Sequence, residues 1–173
     1  IQDTALSITA FDSTLIESLN LRNQEDLQNY IPATTIQPYD ISIRGIGRMF
    51  RALGGDPGVG TYVDGAYSVD FGIASTDNGL YDVERIEILR GPQGTLYGRN
   101  SIGGAVNFIT TKPSQDFAAE IRTLVGSYGM AEGYGFINGG LTDNISARLI
   151  VVNRSRDGVI KDLGAGEDLD SYE

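Results

Sequence analysis

Hydrophobic and polar positions alternate with a period of two in several short stretches of the chain, the spacing that lines up every second side chain on one face of a strand. Residues 4–11 (TALSITAF) read as a first strand. Thr14-Leu-Ile-Glu17 follows with capping-box spacing, in which a hydroxyl and a carboxylate satisfy free amides at a helix start. A second helix is predicted over residues 25–30, stopped by Pro32. Residues 41–45 (ISIRG) form a short alternating strand, and residues 48–57 a loop rich in Arg and Gly. Residues 60–67 (GTYVDGAY) read as a strand or hairpin, with Asp64-Gly65 as the turn signal. A second loop spans residues 68–79, and one helical turn is expected over residues 80–83. Residues 84–90 (ERIEILR) are a charged, alternating strand that puts Ile86, Ile88 and Arg90 on one face.

The pattern changes after Pro113. Residues 120–129, 133–141 and 145–154 are strand-length segments joined by polar turns at residues 130–132 and 142–144. In the third, Ile145, Ala147, Leu149 and Val151 share one face, and Ser146, Arg148 and Arg154 the other. Tyr134 and Phe136 also share a face. Segments of about ten residues with alternating polarity are the signature of a transmembrane β-barrel. A soluble antiparallel meander alternates in the same way. Three strands cannot close, and lipid tolerates no open sheet edge. The tail is therefore either a soluble sheet or the severed start of a barrel, and the lack of a closing strand at residues 170–173 favours severance. The start at Ile1, without Met or a signal peptide, points the same way, to an interior piece of a longer protein.

Composition narrows the chemistry. The 173 residues carry a net charge of −10, an acidic balance that argues against nucleic acid as a partner. With no Cys and no His, thiol catalysis, imidazole acid–base work and Cys/His zinc sites are excluded. No enzyme activity, cofactor or metal is expected. No apolar run is long enough for a transmembrane helix. The 23 glycines favour strands and turns over helix bundles, and they concentrate in one place. Gly91, Gly94, Gly98, Gly103 and Gly104 connect the strand at residues 84–90 to one at residues 105–111. Such density reads as a tightly folded connection between paired strands.

Residues 84–112, ERIEILRGPQGTLYGRNSIGGAVNFITTK, closely resemble the plug-domain signature of the TonB-dependent outer-membrane receptors of Gram-negative bacteria. ITAFDSTLIES, LQNYIP, ISIRGIG and TYVDGAY precede that block in the family's order, so the resemblance covers nearly the whole chain. It implies an α+β fold: a mixed-sheet plug domain over residues 1–115, then the first antiparallel strands of a truncated transmembrane β-barrel over residues 116–173. In such receptors the plug sits inside a barrel of about 22 strands. The implied function is gated, energy-coupled uptake of a scarce nutrient such as a ferric siderophore. The implied partners are a small-molecule ligand, such as a metal chelate or saccharide, the outer membrane, and TonB, engaged through a segment upstream of Ile1.

The same resemblance implies that Arg44 and Arg90, in the IRG and LRGP motifs, latch the plug to glutamates of the barrel wall. The residues by themselves leave a second option, in which both arginines reach out to water. Gly45, Gly65, Gly91, Gly94, Gly98, Gly103 and Gly104 are the plug-motif glycines. The loops at residues 48–57 and 68–79 would face incoming ligand, with Arg48, Phe50, Arg51, Tyr67 and Phe71 offering charge and aromatic surface, or else pack as ordinary loop side chains.

Other motifs fail on spacing. Gly94-Thr-Leu-Tyr-Gly98 is followed by Arg99-Asn100, without the lysine and hydroxyl of a phosphate loop. Gly45-Ile-Gly47 lacks the third glycine of a dinucleotide site. Residues 162–170 are acidic but lack calcium-loop spacing. Glu84 and Glu87, three apart on a strand, are expected on opposite faces and not as a carboxylate pair. The competing reading is a soluble α+β module that binds a ligand or partner without a barrel.

Overall fold

The computed structural model describes residues 7–37, 40–48, 57–68, 79–98, 100–158, 160–161 and 168–169. The chain divides into two compact units, Ile1–Thr111 and Lys112–Glu173.

The first unit is built on a mixed five-stranded sheet. Its strands are β1 (Ser7–Asp12), β4 (Val59–Val63), β5 (Ala66–Tyr67), β6 (Val83–Arg90) and β7 (Gly104–Thr110), in the order β1-β6-β7-β4-β5. β6 pairs antiparallel with β1 and β7, whereas β4 runs parallel to β7. A separate hairpin joins β2 (Thr34–Gln37) to β3 (Asp40–Ile43). One face of the sheet carries Phe11, Ile86, Ile88, Val106 and Phe108, buried with Ile16, Leu27, Ile36, Ile41 and Ile43 from the helices and the hairpin. The other face holds a smaller cluster of Tyr62, Leu89 and Ala105, with Tyr97 against it. The strands expected at residues 84–90 and 105–111 therefore pair as neighbours.

Several local expectations are corrected. Helix α1 (Ser13–Ser18) is capped by Asp12 and not by Thr14, which lies inside the helix. Asp12 keeps an extended backbone, and its Oδ1 accepts the Leu15 N–H at 2.8 Å, the geometry an N-cap requires. The second helix is present where predicted, as a 3₁₀ helix (Glu25–Asn29). Its start is set by side chains: Asp26 accepts from Arg22 N and Asn23 N, and Asn23 Oδ1 accepts from Asp26 N. Asp82 takes φ 55° in a turn, so no helical turn precedes β6. Within the expected glycine connection lies a short helix, α2 (Gly94–Tyr97). Of the first predicted strand, residues 4–6 lie outside the described residues.

The second unit is an antiparallel sheet of β8 (Ala118–Val125), β9 (Ala131–Thr142) and β10 (Ile145–Ser155), in the order β10-β9-β8. A two-residue bridge links β11 (Ile160–Lys161) to β12 (Asp168–Leu169). Asp143-Asn144 makes the tight turn between β9 and β10. The other turn falls earlier than expected, closed by Gly126 N donating to Met130 O, with Tyr128 and Gly129 at φ 60° and 62°. Register aligns Ile121 with Gly135 and Val151, and Ala119 with Ile137 and Leu149. All five charged residues of these strands, Glu120, Arg122, Glu132, Arg148 and Arg154, fall on the opposite face.

Candidate functional site

The connection between β6 and β7 organises one end of the first unit. Gly91 N donates to Gly103 O at 2.9 Å and Gln93 N to Ser101 O at 2.8 Å, so the two arms continue the strand pair as a narrow stem. α2 closes the tip, with Gly98 N on Gly94 O and Ser101 Oγ donating to Gly98 O at 2.7 Å. Gly103 N donates to Gly58 O, tying the stem to the start of β4.

Three tyrosines hold this loop to β4 and β5. Tyr62 is buried, and its hydroxyl donates to Tyr97 O at 2.7 Å. Its ring centroid is 4.6 Å from that of Tyr97 and 5.5 Å from that of Tyr67, both tilted contacts. Asn100 Nδ2 donates to the Tyr67 hydroxyl at 3.0 Å. The ring of Tyr62 folds back over Gly60, where a Cβ would meet it at 2.7 Å. Burial, with smaller contributions from Tyr67 and Tyr97, raises the Tyr62 hydroxyl above its ordinary pKa of 10.0. Burial first, then Glu87, raises Tyr97.

Arg44 does not belong to the alternating strand expected at residues 41–45. β3 ends at Ile43, and Arg44-Gly45 form the turn, with φ 54° and 78° and paired backbone bonds between Ile43 and Ile46. Two consecutive positive φ values make this a primed turn, and the Arg44 side chain is exposed. Arg90 is the last residue of β6, half-buried after Ile86 and Ile88, as the alternation predicts. Its Nε is buried and takes no hydrogen bond among the described residues. Ile46 packs where Cβ atoms at Gly58 and Gly103 would stand, so the Arg44 turn abuts the base of the 91–103 loop. Both arginines therefore lie at the same end of this unit.

The predicted glycines separate into kinds. Gly45, Gly65, Gly91 and Gly98 have positive φ, and Gly103 is pressed by Ile46. Gly104 combines φ 151° with a backbone contact from the Leu89 carbonyl. Gly94 shows neither a positive φ nor a neighbour within 4 Å, so nothing here demands glycine.

Among the ligand-loop candidates, Arg48 donates its backbone N–H to both carboxylate oxygens of Asp40 at 3.0 Å. Tyr67 is committed to Tyr62 and Asn100. Phe50, Arg51 and Phe71 lie outside the described residues. Glu84 and Glu87 do not diverge: both reach the Arg85 guanidinium, because a bulge between Val83 and Arg85 turns Glu84 out of the alternation. The Glu87 hydrogen bond is the larger cause of a raised Arg85 pKa. Sequence reading missed Asn100 and Asn107. Asn107 is buried and accepts the Gly65 N–H at 3.2 Å, and Asp64 accepts from Thr110 N and Oγ1. For Asn107 the available signal was an amide inside an apolar run (AVNFI); nothing local marks Asn100.

In the second unit the charged face is internally matched. Arg122 pairs with Glu120, Arg154 Nε lies 3.3 Å from Glu132, and the Arg148 guanidinium stacks 3.7 Å over the Phe136 ring.

A family model described as the TonB-dependent receptor plug domain matches residues 1–105. The iron-regulated outer membrane virulence protein of Vibrio cholerae is 29% identical over 177 aligned residues, covering 91% of this chain and 26% of that protein. The pesticin receptor of Yersinia pestis is 41% identical over 73 residues, 42% of this chain and 10% of that one. The crystal structure of the ferric yersiniabactin uptake receptor FyuA from Yersinia pestis superposes with a TM-score of 0.79 at 25% identity, over 97% of this chain and 27% of that one. The two Yersinia pestis relatives are named as receptors, and the chain spans about a quarter of the length of the Vibrio cholerae protein and of FyuA. The chain belongs to the TonB-dependent receptor plug family, whose members sit in the outer membrane of Gram-negative bacteria.

Proposed function

We propose that this chain is the plug and first barrel strands of a TonB-dependent transporter that takes up a ferric siderophore. The observation that carries the barrel part is the two-faced sheet. Its uncharged face exposes Ile121, Val125, Leu149 and Val151 at 84%, 81%, 62% and 62%, while the other face holds every charge of the three strands. A soluble module would expose its charges and bury that apolar face, whereas a barrel wall in lipid does the reverse. We take the plug as ending near Thr111, before the expected 115, because Ser114 and Asp116 bond into β9.

Arg44 and Arg90 are the latch in this reading. A buried guanidinium N–H without a partner costs about 1–3 kcal/mol, and a carboxylate from the barrel wall would remove that cost at Arg90. The exposed Arg44, held on its turn at the same end, is placed to make a second pair. A segment upstream of the plug engages TonB, and the energy-coupled pull opens a path for the chelate. Arg48, Phe50, Arg51, Tyr67 and Phe71 remain the proposed ligand-side residues.

The test is uptake of radioactive iron by cells whose only receptor is the full-length protein. Ferric yersiniabactin, ferripyoverdine and a ferric catecholate are the probes. At least one should enter, and entry should stop when TonB is deleted. Equal iron entry with and without the receptor, for every chelate, would sink the assignment.

A further inference from the structure

Asn138 is the one buried side chain among the described residues of the second unit, at 3% exposure. It stands in the middle of β9, on the face that carries the charges, between Phe136 and Gly140. The alternation of a barrel wall gives no reason to bury a carboxamide there. Its hydrogen bonds supply one. Oδ1 accepts from Ser114 N at 3.2 Å, and Nδ2 donates to Ser114 Oγ at 2.9 Å, Asp116 O at 2.8 Å and Ser114 O at 3.4 Å. Both ends of the amide are spent on one short stretch of chain. Gly140 N adds a bond to Gln115 O at 3.3 Å, and the Gln115 side chain occupies the place of a Cβ on Gly140. That stretch begins just after the division between the units, at Thr111, and ends where β8 begins, at Ala118.

We propose that Asn138 is a positioning residue that clamps the connector, residues 112–117, onto β9, and so fixes the downstream end of the plug when its upstream end is pulled. This rests on the plug-and-barrel reading above. The four residues freed between the clamp and β8, residues 114–117, give at most about 14 Å of slack when extended. With the connector clamped, a pull is opposed at Ser114 and deforms the first unit. With the clamp lost, the same pull first takes up the slack and shifts that unit as a body. A side chain that satisfies three backbone groups and one hydroxyl does this without a strand partner for the connector. An apolar residue at 138 would remove all four bonds and leave those groups to water.

The experiment is single-molecule force spectroscopy on the full-length receptor in a lipid bilayer, pulled from its upstream end, with no ligand needed. The expected wild-type trace ends with a separate force peak near residue 114, followed by about 14 Å of further extension. Asn138→Leu should lose that peak and move the last anchored point by the same length. A second variant, Ser114→Cys with Asn138→Cys, separates positioning from folding. Oxidised, it should hold the boundary against higher force, and reduced, it should behave as Asn138→Leu. An unchanged peak in Asn138→Leu would overturn the clamp alone. A wild-type trace that runs through β8–β10 with no boundary near residue 114 would overturn the plug-and-barrel reading with it.

Discussion

Gly104 and Gly94 belong to the same glycine-dense block, yet replacing each with alanine should have opposite effects. Gly104 opens β7 opposite Arg90, at φ 151°, a conformation that L residues rarely adopt. A Cβ there would sit on the Leu89 carbonyl oxygen and 3.0 Å from Ile43 Cδ1. The backbone conformation alone costs about 1–3 kcal/mol. Relieving the carbonyl overlap means drawing β7 away from β6, and losing one ladder hydrogen bond adds about 1 kcal/mol. The sum, about 2–4 kcal/mol, corresponds to roughly 30-fold to 700-fold in the equilibrium for opening this strand pair. Gly94 begins α2 with free space around its Cα. Alanine there removes unfolded-state freedom at no steric cost and should be neutral or stabilising by up to about 1 kcal/mol. Hydrogen exchange at the amides of Ala105, Val106 and Leu89 is the assay, run on both variants of the full-length receptor. Protection should drop by one to three orders of magnitude in Gly104→Ala and stay level or rise in Gly94→Ala. Equal protection in the two variants, in either direction, would refute the steric argument.

Four other outcomes are expected. Gln24 is 3% exposed and neither atom of its amide has a hydrogen-bond partner among the described residues, so Gln24→Leu should raise the unfolding free energy by about 1–3 kcal/mol, read as a higher urea midpoint with unchanged slope. The raised Tyr62 and Tyr97 hydroxyls keep their protons longer folded than unfolded; their contribution is whole below pH 10.0 and is lost as pH rises through the folded pKa values. Tyrosinate absorbance against pH should therefore lag in the folded protein, and the lag should shrink in Tyr62→Phe. Arg90→Met should leave the amount of receptor in the membrane unchanged but increase passive entry of a bulky antibiotic, since breaking the proposed latch pair would cost about 3–5 kcal/mol; wild-type exclusion would remove Arg90 from the latch. Val151→Arg places a charge on the uncharged face and should cost up to about 4 kcal/mol in refolding into lipid, whereas Val152→Arg, on the charged face, should cost little; equal costs would contradict the assignment of faces.

What was legible in the sequence follows the length of each repeating pattern. β6, β7, β9 and β10 carry long alternations or apolar runs, and their pairing partners follow from the short or glycine-rich connections between them. The hairpin of β4 and β5 was legible because Asp64-Gly65 demands positive φ at two successive positions, which the turn shows at 50° and 80°. Misreadings cluster where a side chain, and not periodicity, decides. Asp12 takes the cap from Thr14 because it lies at the strand end, where the backbone is still extended. Arg44 leaves the strand because Gly45 completes a turn with it, a choice that a four-residue alternation cannot reveal. The bulge at Glu84 breaks the period of two and brings both flanking carboxylates to Arg85. The clamp at Asn138 was hidden for another reason: its partners are about two dozen residues upstream, and nothing local marks them.

The two units are stabilised by different means, and that difference bears on mechanism. The first buries a continuous cluster in which Leu27, Ile43 and Ile86 are at 0% exposure, so its fold is supported by its own side chains. The second, over its described residues, buries one carboxamide and exposes a whole apolar face, so its sheet draws little support from within. Under the plug-and-barrel proposal, a wall supported by lipid and by further strands would stay fixed while a self-supported unit beside it in sequence is strained. The apparent defects of the first unit fit that division of labour. Gln24 and the Arg90 Nε are buried polar groups that a domain selected for stability alone would satisfy or replace. Left unpaired, they lower the work of opening the unit, and under the latch proposal Arg90 would find its partner in a wall carboxylate. Under that proposal, a plug that stays shut at rest and yields under a modest pull would need both properties: a core that restores the fold, and a few polar contacts completed only when it is seated.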